Sequence, residues 1–142
     1  MSIKKSVRLS DEAERLCYLL SPYGEPNYSG SLNALAHRYN LLIENVMPEL
    51  SEQEALVFAS LYNGHMLNDN IKLEAQSIEW QLAEGFKYDA TIGELIENAD
   101  TTLEKLHSKV ASWSIAERIA VIDMTQRFWS KGRADAMLGK EG

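Results

Sequence analysis

The hydrophobic and polar positions along this chain follow a helical period almost everywhere except at its beginning. Between residues 3 and 10 polar and apolar positions alternate instead, with Lys4, Ser6 and Arg8 on one side and Val7 and Leu9 on the other, where Lys5 interrupts the apolar side. Side chains of a strand point alternately to its two faces. A period of two therefore predicts a short β-strand over residues 3–10.

Two helices are predicted after this strand. Ser10 is typical of a helix N-terminus, because its side chain accepts hydrogen bonds from free backbone N–H groups and two acidic residues follow it. The first helix has to end near Ser21, because Pro22 disfavours the helical conformation in the residue before it. Apolar residues at helical spacing then predict a second helix that begins at Ser29 and ends near Pro48.

Residues 49–142 contain only helical signals. In an S/T-x-x-E capping box, the first and fourth side chains satisfy unpaired backbone donors reciprocally, so each box predicts a helix start. Three pairs fit this box and predict three helix starts: Ser51 with Glu54, Thr91 with Glu94, and Ser114 with Glu117. A fourth start is expected at Asn68 or Asp69, and the last helix is expected to end near Lys131, with a frayed tail from Gly132. These signals predict a bundle of about four helices.

Two neighbouring segments of this region have narrow apolar seams. From Ile92 to Trp113, and from Ile71 to Leu82, apolar residues are spaced alternately by four and three. This spacing is typical of helices that pack nearly parallel or antiparallel. It predicts one continuous helix over residues 91–113, joined to the preceding helix in a hairpin whose turn contains residues 88–90.

Composition restricts the location of the protein. Cys17 is the single cysteine among 142 residues, which excludes an intrachain disulfide and fits a small buried hydrophobe in a reducing, cytoplasmic setting. No apolar run approaches the roughly 20 residues of a membrane span, and no signal-peptide core follows the N-terminal cations. We therefore expect a soluble cytoplasmic protein that has no membrane partner.

Charge is distributed unevenly along the chain. Residues 1–48 carry five cations and five anions, whereas residues 49–142 carry nine cations and sixteen anions and account for the whole net charge of −7. Acidic surfaces repel polyanions. Contact with a nucleic acid is therefore expected in the N-terminal part.

The order of these N-terminal elements resembles the ribbon-helix-helix family of DNA-binding proteins, the group of the Arc and MetJ repressors. The resemblance covers about residues 3–46: a short basic strand read most clearly in SVRLSDE, a serine-capped helix, a loop, and a helix that opens on Ser29, Gly30 and Ser31. In that family two chains pair their strands into an antiparallel ribbon that enters the major groove. The resemblance implies a mainly α fold that begins with one strand and two helices in an intertwined dimer.

The resemblance also implies roles for individual residues. It places the DNA-base contacts at Lys4, Ser6 and Arg8, the phosphate contacts at Ser29, Gly30 and Ser31, and the dimer core at Val7, Leu9, Leu16, Leu35 and Tyr39. An arginine such as Arg8 can donate two hydrogen bonds to guanine, and free N–H groups at a helix N-terminus bind phosphate. The alternative for residues 3–10 is a solvated edge strand that has no ligand.

The sequence contains few signals for a catalytic or metal-binding site. The three histidines lack metal-ligand spacing, and no phosphate-binding glycine loop, nucleophile elbow or zinc signature is present. No enzymatic activity, metal or other cofactor is therefore expected. The three tryptophans are expected to fill the core, and Trp129, which lies near Lys131 and Arg133, is the best candidate for contact with a partner.

Together these signals predict two domains, residues 1–48 for DNA binding and dimerisation and residues 49–142 as an acidic helical domain for oligomerisation, ligand sensing or partner binding. The expected function is a sequence-specific transcriptional regulator, a repressor or autoregulator of prokaryotic or mobile-element origin. Its partners would be double-stranded DNA and a second copy, or more, of the chain. The alternative is an interaction protein, such as an antitoxin-like or phage-encoded inhibitor, that binds a protein partner through its acidic helices.

Overall fold

The computed structural model describes residues 6–21, 25–63, 67 and 77–137. Helices occupy most of these residues: α1 Asp11–Leu20, α2 Tyr28–Val46, α3 Glu52–Asn63, α4 Ile78–Tyr88, α5 Ala90–Asn98, α6 Leu103–Ala111 and α7 Ile115–Met137. The mainly α class is confirmed.

The predicted N-terminal strand, and with it the ribbon-helix-helix fold, is wrong for the part of the chain that the structure describes. Residues 6–10 form no strand and lead into α1, and residues 3–5 lie outside the described residues. A strand exists through hydrogen bonds to a neighbouring strand, and alternation of side chains along one segment does not supply that neighbour. The helix start at Ser10 is confirmed, because its hydroxyl accepts a hydrogen bond from the Ala13 N–H at 3.1 Å.

The chain divides into two units, Met1–Leu42 and Ile43–Gly142. The first unit contains α1 and most of α2. One cluster of hydrogen bonds links these two helices: the Ser21 hydroxyl donates to the Cys17 carbonyl at 2.6 Å, and the buried Ser31 hydroxyl donates to the same carbonyl at 3.4 Å. Cys17 is completely buried beside this cluster, as a small hydrophobe would be.

The second unit has a continuous apolar core. Helix α3 packs against α5 and α7, while α4 packs against α5 and α6. Their inward side chains form one cluster: Val57, Phe58, Leu61, Leu67, Ile78, Leu82, Ile92, Ile96, Leu106, Val110, Trp113, Val121 and Ile122. The Phe58 and Trp113 rings meet with centroids 5.5 Å apart.

Two of the three capping boxes are confirmed. Ser51 and Glu54 exchange hydrogen bonds at 2.9 and 3.0 Å, and Ser114 and Glu117 do so at 3.0 and 3.2 Å. The third box is wrong, because the Asp89 side chain accepts from the Thr91 N–H at 2.9 Å, which makes Asp89 the N-cap of α5, two residues before Thr91.

The expected helix over residues 91–113 is also wrong, because it is two helices. Asp100 has a left-handed backbone, with φ of 54°, which ends α5, and the Thr102 hydroxyl caps α6 by accepting from the Lys105 N–H at 3.2 Å. The described residues of the second unit therefore contain five helices after α2 rather than about four. Helix α7 reaches Met137, beyond the expected end, and the expected start at residues 68–69 lies outside the described residues.

Candidate functional site

The first unit leaves most of its apolar side chains in contact with solvent. Among its described residues only Cys17 and Ser31 are buried. Ten large apolar side chains remain at least a third exposed: Val7, Leu16, Tyr18, Leu19, Leu20, Tyr28, Leu32, Tyr39, Leu41 and Leu42. A pair of helices that exposes this much apolar surface has an incomplete core.

Three of the five residues expected in a dimer core belong to this surface. Val7 is 66% exposed, Leu16 is 37% exposed and Tyr39 is 39% exposed. Leu9 and Leu35 are half-buried. Within one chain, none of these five side chains is enclosed.

The residues expected to contact DNA bases lie in the segment that precedes α1. Ser6 and Arg8 are both exposed, and Lys4 lies outside the described residues. Arg8 is the one cation among residues 6–10 and projects from a non-helical backbone that ends at the extended Ser10. Its guanidinium is therefore accessible to a ligand from solvent.

The residues expected to bind phosphate lie in the first turn of α2, where the chain caps itself. The Asn27 side chain accepts from the Gly30 N–H at 2.9 Å, and the Asn27 carbonyl accepts from the Ser31 N–H at 2.9 Å. A Cβ at position 30 would lie 2.5 Å from the Asn27 amide nitrogen, so glycine is what allows this close cap. The Ser31 hydroxyl faces Cys17, whereas Ser29 is exposed.

The two units differ sharply in charge. Residues 1–42 carry five cations and four anions, whereas residues 43–142 carry nine cations and seventeen anions. The first unit is thus close to neutral with a slight positive excess, and the acidity belongs to the second unit. Only the first unit has a charge that tolerates a polyanion.

Trp129 lies beside an apolar groove between α3 and α7. Its indole N–H donates to the Ala59 carbonyl at 2.8 Å, and its ring meets Phe128 edge-on with centroids 5.3 Å apart. The groove encloses about 380 Å³ between the two helices, and Phe128, Leu56 and Met124 are among its lining residues. Phe128 is 56% exposed and Trp129 is 47% exposed, so this aromatic pair is accessible to a partner.

A second groove, of about 550 Å³, runs along α5 to the start of α6. Apolar residues of three helices contribute to it, namely Phe86, Ala90, Ile96 and Leu103. Its acidic members are Glu94, Glu97 and Glu104, all of them exposed. We call it the α5–α6 groove.

Sequence reasoning missed a buried arginine. Arg118 is 1% exposed, forms an ion pair with Glu79 of α4, and donates to the carbonyls of Val110 at 2.9 Å and Trp113 at 3.2 Å. Burial alone would raise the pKa of Glu79, but hydrogen bonds from Arg118 and Ser77 and the charge of Arg118 outweigh it and lower that pKa. The ion pair joins α7 to α4, and the hydrogen bond from Arg118 to the Val110 carbonyl joins α7 to α6.

A signal for this arginine existed in the sequence. Arg118, Val121, Ile122 and Thr125 follow the spacing i, i+3, i+4, i+7, and all four are buried. An arginine within an apolar stripe is buried when the helix packs, so it requires an anionic partner inside the protein.

The described residues hold no cluster of three or more potential metal ligands. Over the same ranges, no helix combines the length and apolar character needed to cross a membrane. Comparisons with protein-family models, with curated proteins and with solved structures each give no match.

Proposed function

We propose that this protein is a sequence-specific DNA-binding transcriptional regulator that acts as a homodimer. The observation that carries the proposal is the first unit, whose helices α1 and α2 leave their apolar side chains exposed beside a non-helical segment that carries the accessible cation Arg8. Dimerisation would complete the core of this unit. It would also bring two copies of the cationic segment together.

The exposed apolar surface of the first unit favours a dimer energetically. Fully burying one large apolar side chain stabilises an assembly by about 1.5–3 kcal/mol. Side chains as exposed as Val7, at 66%, leave most of that free energy available to an interface. A two-fold dimer is the commonest way to enclose such a surface, because one patch then covers its own copy.

The charge distribution favours DNA contact through the first unit. With five cations and four anions this unit does not repel phosphates as a whole, in contrast to the strongly acidic second unit. Arg8 has the bidentate donor geometry that reads guanine in the major groove, and Ser6, two positions away, can reach a base edge or a phosphate. Two copies related by a two-fold axis would favour a palindromic operator, whose occupation represses transcription.

The test is DNA binding by the full chain, with two matched variants. Binding sites are selected from a random duplex library at low salt, and the affinity for the selected duplex is measured by fluorescence anisotropy over a salt series. Arg8→Ala should reduce affinity by about 1–3 kcal/mol per contacted guanine and relax the base preference. Arg38→Ala removes the same charge from an exposed position on α2 and should leave base preference unchanged.

Two results would contradict the proposal. One is the absence of duplex binding at low salt, where phosphate contacts are strongest. The other is that Arg8→Ala and Arg38→Ala lower the affinity equally and neither changes the base preference. Arg8 would then contribute only non-specific electrostatic attraction.

A further inference from the structure

The α5–α6 groove has an apolar base that the described residues of the chain leave accessible. The Phe86 ring, at the end of α4, is 44% exposed, and Leu103 is half-buried. Ile96 closes the groove from below, since it is only 3% exposed and belongs to the core. On α5 the lining positions 90, 93, 94 and 97 follow the spacing i, i+3, i+4, i+7, so a whole helical face borders the groove.

Gly93 leaves this groove open in the middle of that face. A Cβ there would lie 3.8 Å from Cε2 of Phe86, an ordinary van der Waals contact, so no steric conflict requires glycine. Glycine within a helix costs roughly 0.5–1 kcal/mol relative to alanine. The missing side chain leaves this part of the Phe86 ring accessible to solvent.

The charge of the lining determines what can occupy the groove. Glu94, Glu97 and Glu104 contribute three carboxylates, and the described lining contains no lysine or arginine. Apolar surface bordered by negative charge complements a ligand that has apolar anchors flanked by cations. The same carboxylates repel the phosphates of nucleic acids and of anionic lipids. Among its described lining residues, the α3–α7 groove has one charged side chain, that of Glu52.

We propose that the α5–α6 groove is a docking site for a basic amphipathic helix of a partner protein. A helix places residues i, i+3, i+4 and i+7 on one side, and this is the usual way in which such a helix fills a groove between helices. Its apolar residues would contact Phe86 and Leu103. Its lysines or arginines would face the three glutamates. The site is distinct from the DNA-binding surface proposed for the first unit and would connect the regulator to a second protein.

The experiment uses a fluorescein-labelled peptide as probe. The peptide carries leucines at i, i+3, i+4 and i+7 and lysines at the flanking positions, and two control peptides replace either the lysines by glutamate or the leucines by serine. Binding to the full chain is followed by fluorescence anisotropy. The wild type should bind the basic amphipathic peptide at least about tenfold more tightly than either control, a difference of about 1.4 kcal/mol.

Three variants separate charge from shape. The double variant Glu94→Lys, Glu97→Lys should weaken binding by about tenfold or more, because like charges then face each other across the interface. Glu49→Lys reverses an exposed charge outside the lining and should leave affinity within about twofold. Gly93→Gln fills the groove without changing charge and should also weaken binding, while the helical circular dichroism of the chain is retained.

Several outcomes would overturn this proposal. Equal binding of the serine control would show that the apolar base is not used. Equal effects of the Glu49 variant and the double variant would show general attraction to an acidic protein. A change in sedimentation of the unliganded chain caused by the double variant would show that a second copy covers the groove instead.

Discussion

Replacing Arg118 by methionine should destabilise the second unit by about 3–5 kcal/mol, the range measured when one partner of a buried ion pair is removed. Arg118 is 1% exposed and Glu79 is 8% exposed, so water solvates the remaining carboxylate poorly. The substitution also removes the donors to the Val110 and Trp113 carbonyls at the end of α6. For a domain of about 100 residues a loss of 3 kcal/mol lowers the melting temperature by at least about 12 °C.

Urea unfolding followed by circular dichroism measures this loss, and a second variant isolates its cause. Changing Arg118 and Glu79 together to methionine removes both charges, and the double variant should be more stable than Arg118→Met alone, because no buried charge is left without its partner. If Arg118→Met unfolds within about 1 kcal/mol of the wild type, or if the double variant is no more stable than the single one, the reasoning about this ion pair is refuted.

The sign of the pH dependence follows from the same pair. The pKa of Glu79 in the folded chain is lowered from its ordinary value of 4.5, so folding favours its ionised form. The contribution of Glu79 to stability is complete above about pH 4.5. It is lost as the pH falls through the lowered pKa that Glu79 has in the folded chain. In Arg118→Met that acid-dependent loss should shrink, which urea titrations at pH 7 and at acidic pH can measure.

Three further changes have expected outcomes. Gly85→Ala should destabilise the chain by about 1–3 kcal/mol in urea unfolding, because its Cβ would overlap Cδ2 of the buried Leu61; an unchanged midpoint would contradict this. The pKa of Glu54 is lowered because hydrogen bonds from the Ser51 backbone and from Lys109, with the charge of Lys109, outweigh burial. Lys109→Met should therefore cost less than about 1 kcal/mol at pH 7, since Lys109 is part exposed, and should reduce the stability lost below about pH 4.5. At Asp100, with φ of 54°, valine should cost about 1–2 kcal/mol and glycine much less, and similar melting temperatures for the two variants would be inconsistent with a left-handed residue at this position.

The features that sequence predicted correctly are those decided within a few residues. The boxes Ser51–Glu54 and Ser114–Glu117 were predictable because both partners of each hydrogen bond lie within one helical turn. The box at Thr91 failed because Asp89, two residues earlier, takes the cap. Two capping residues so close together compete, and the motif alone does not say which of them starts the helix.

The features that sequence did not predict depend on distant parts of the chain. Most of the seam from Ile92 to Val110 is buried, although Ala99 and Leu103 are only half-buried. Its apolar period continues across the turn at Asp100 and so conceals the break between α5 and α6. The strand at residues 3–10 required a hydrogen-bonded neighbour that no local pattern supplies. In the α5–α6 groove, Glu97 and Glu104 come together through the packing of their helices, and in the sequence they resemble ordinary solvated residues.

The central claim is that the first unit is completed by a second copy of the chain, and sedimentation velocity of the 142-residue chain tests it most directly. We expect a species of twice 16.0 kDa at micromolar concentration. Val7→Glu should convert it to monomer, whereas Ile115→Glu, at a similarly exposed site in the second unit, should not. A wild-type chain that sediments as a monomer throughout the micromolar range, or a dimer that Val7→Glu leaves intact, would contradict the account.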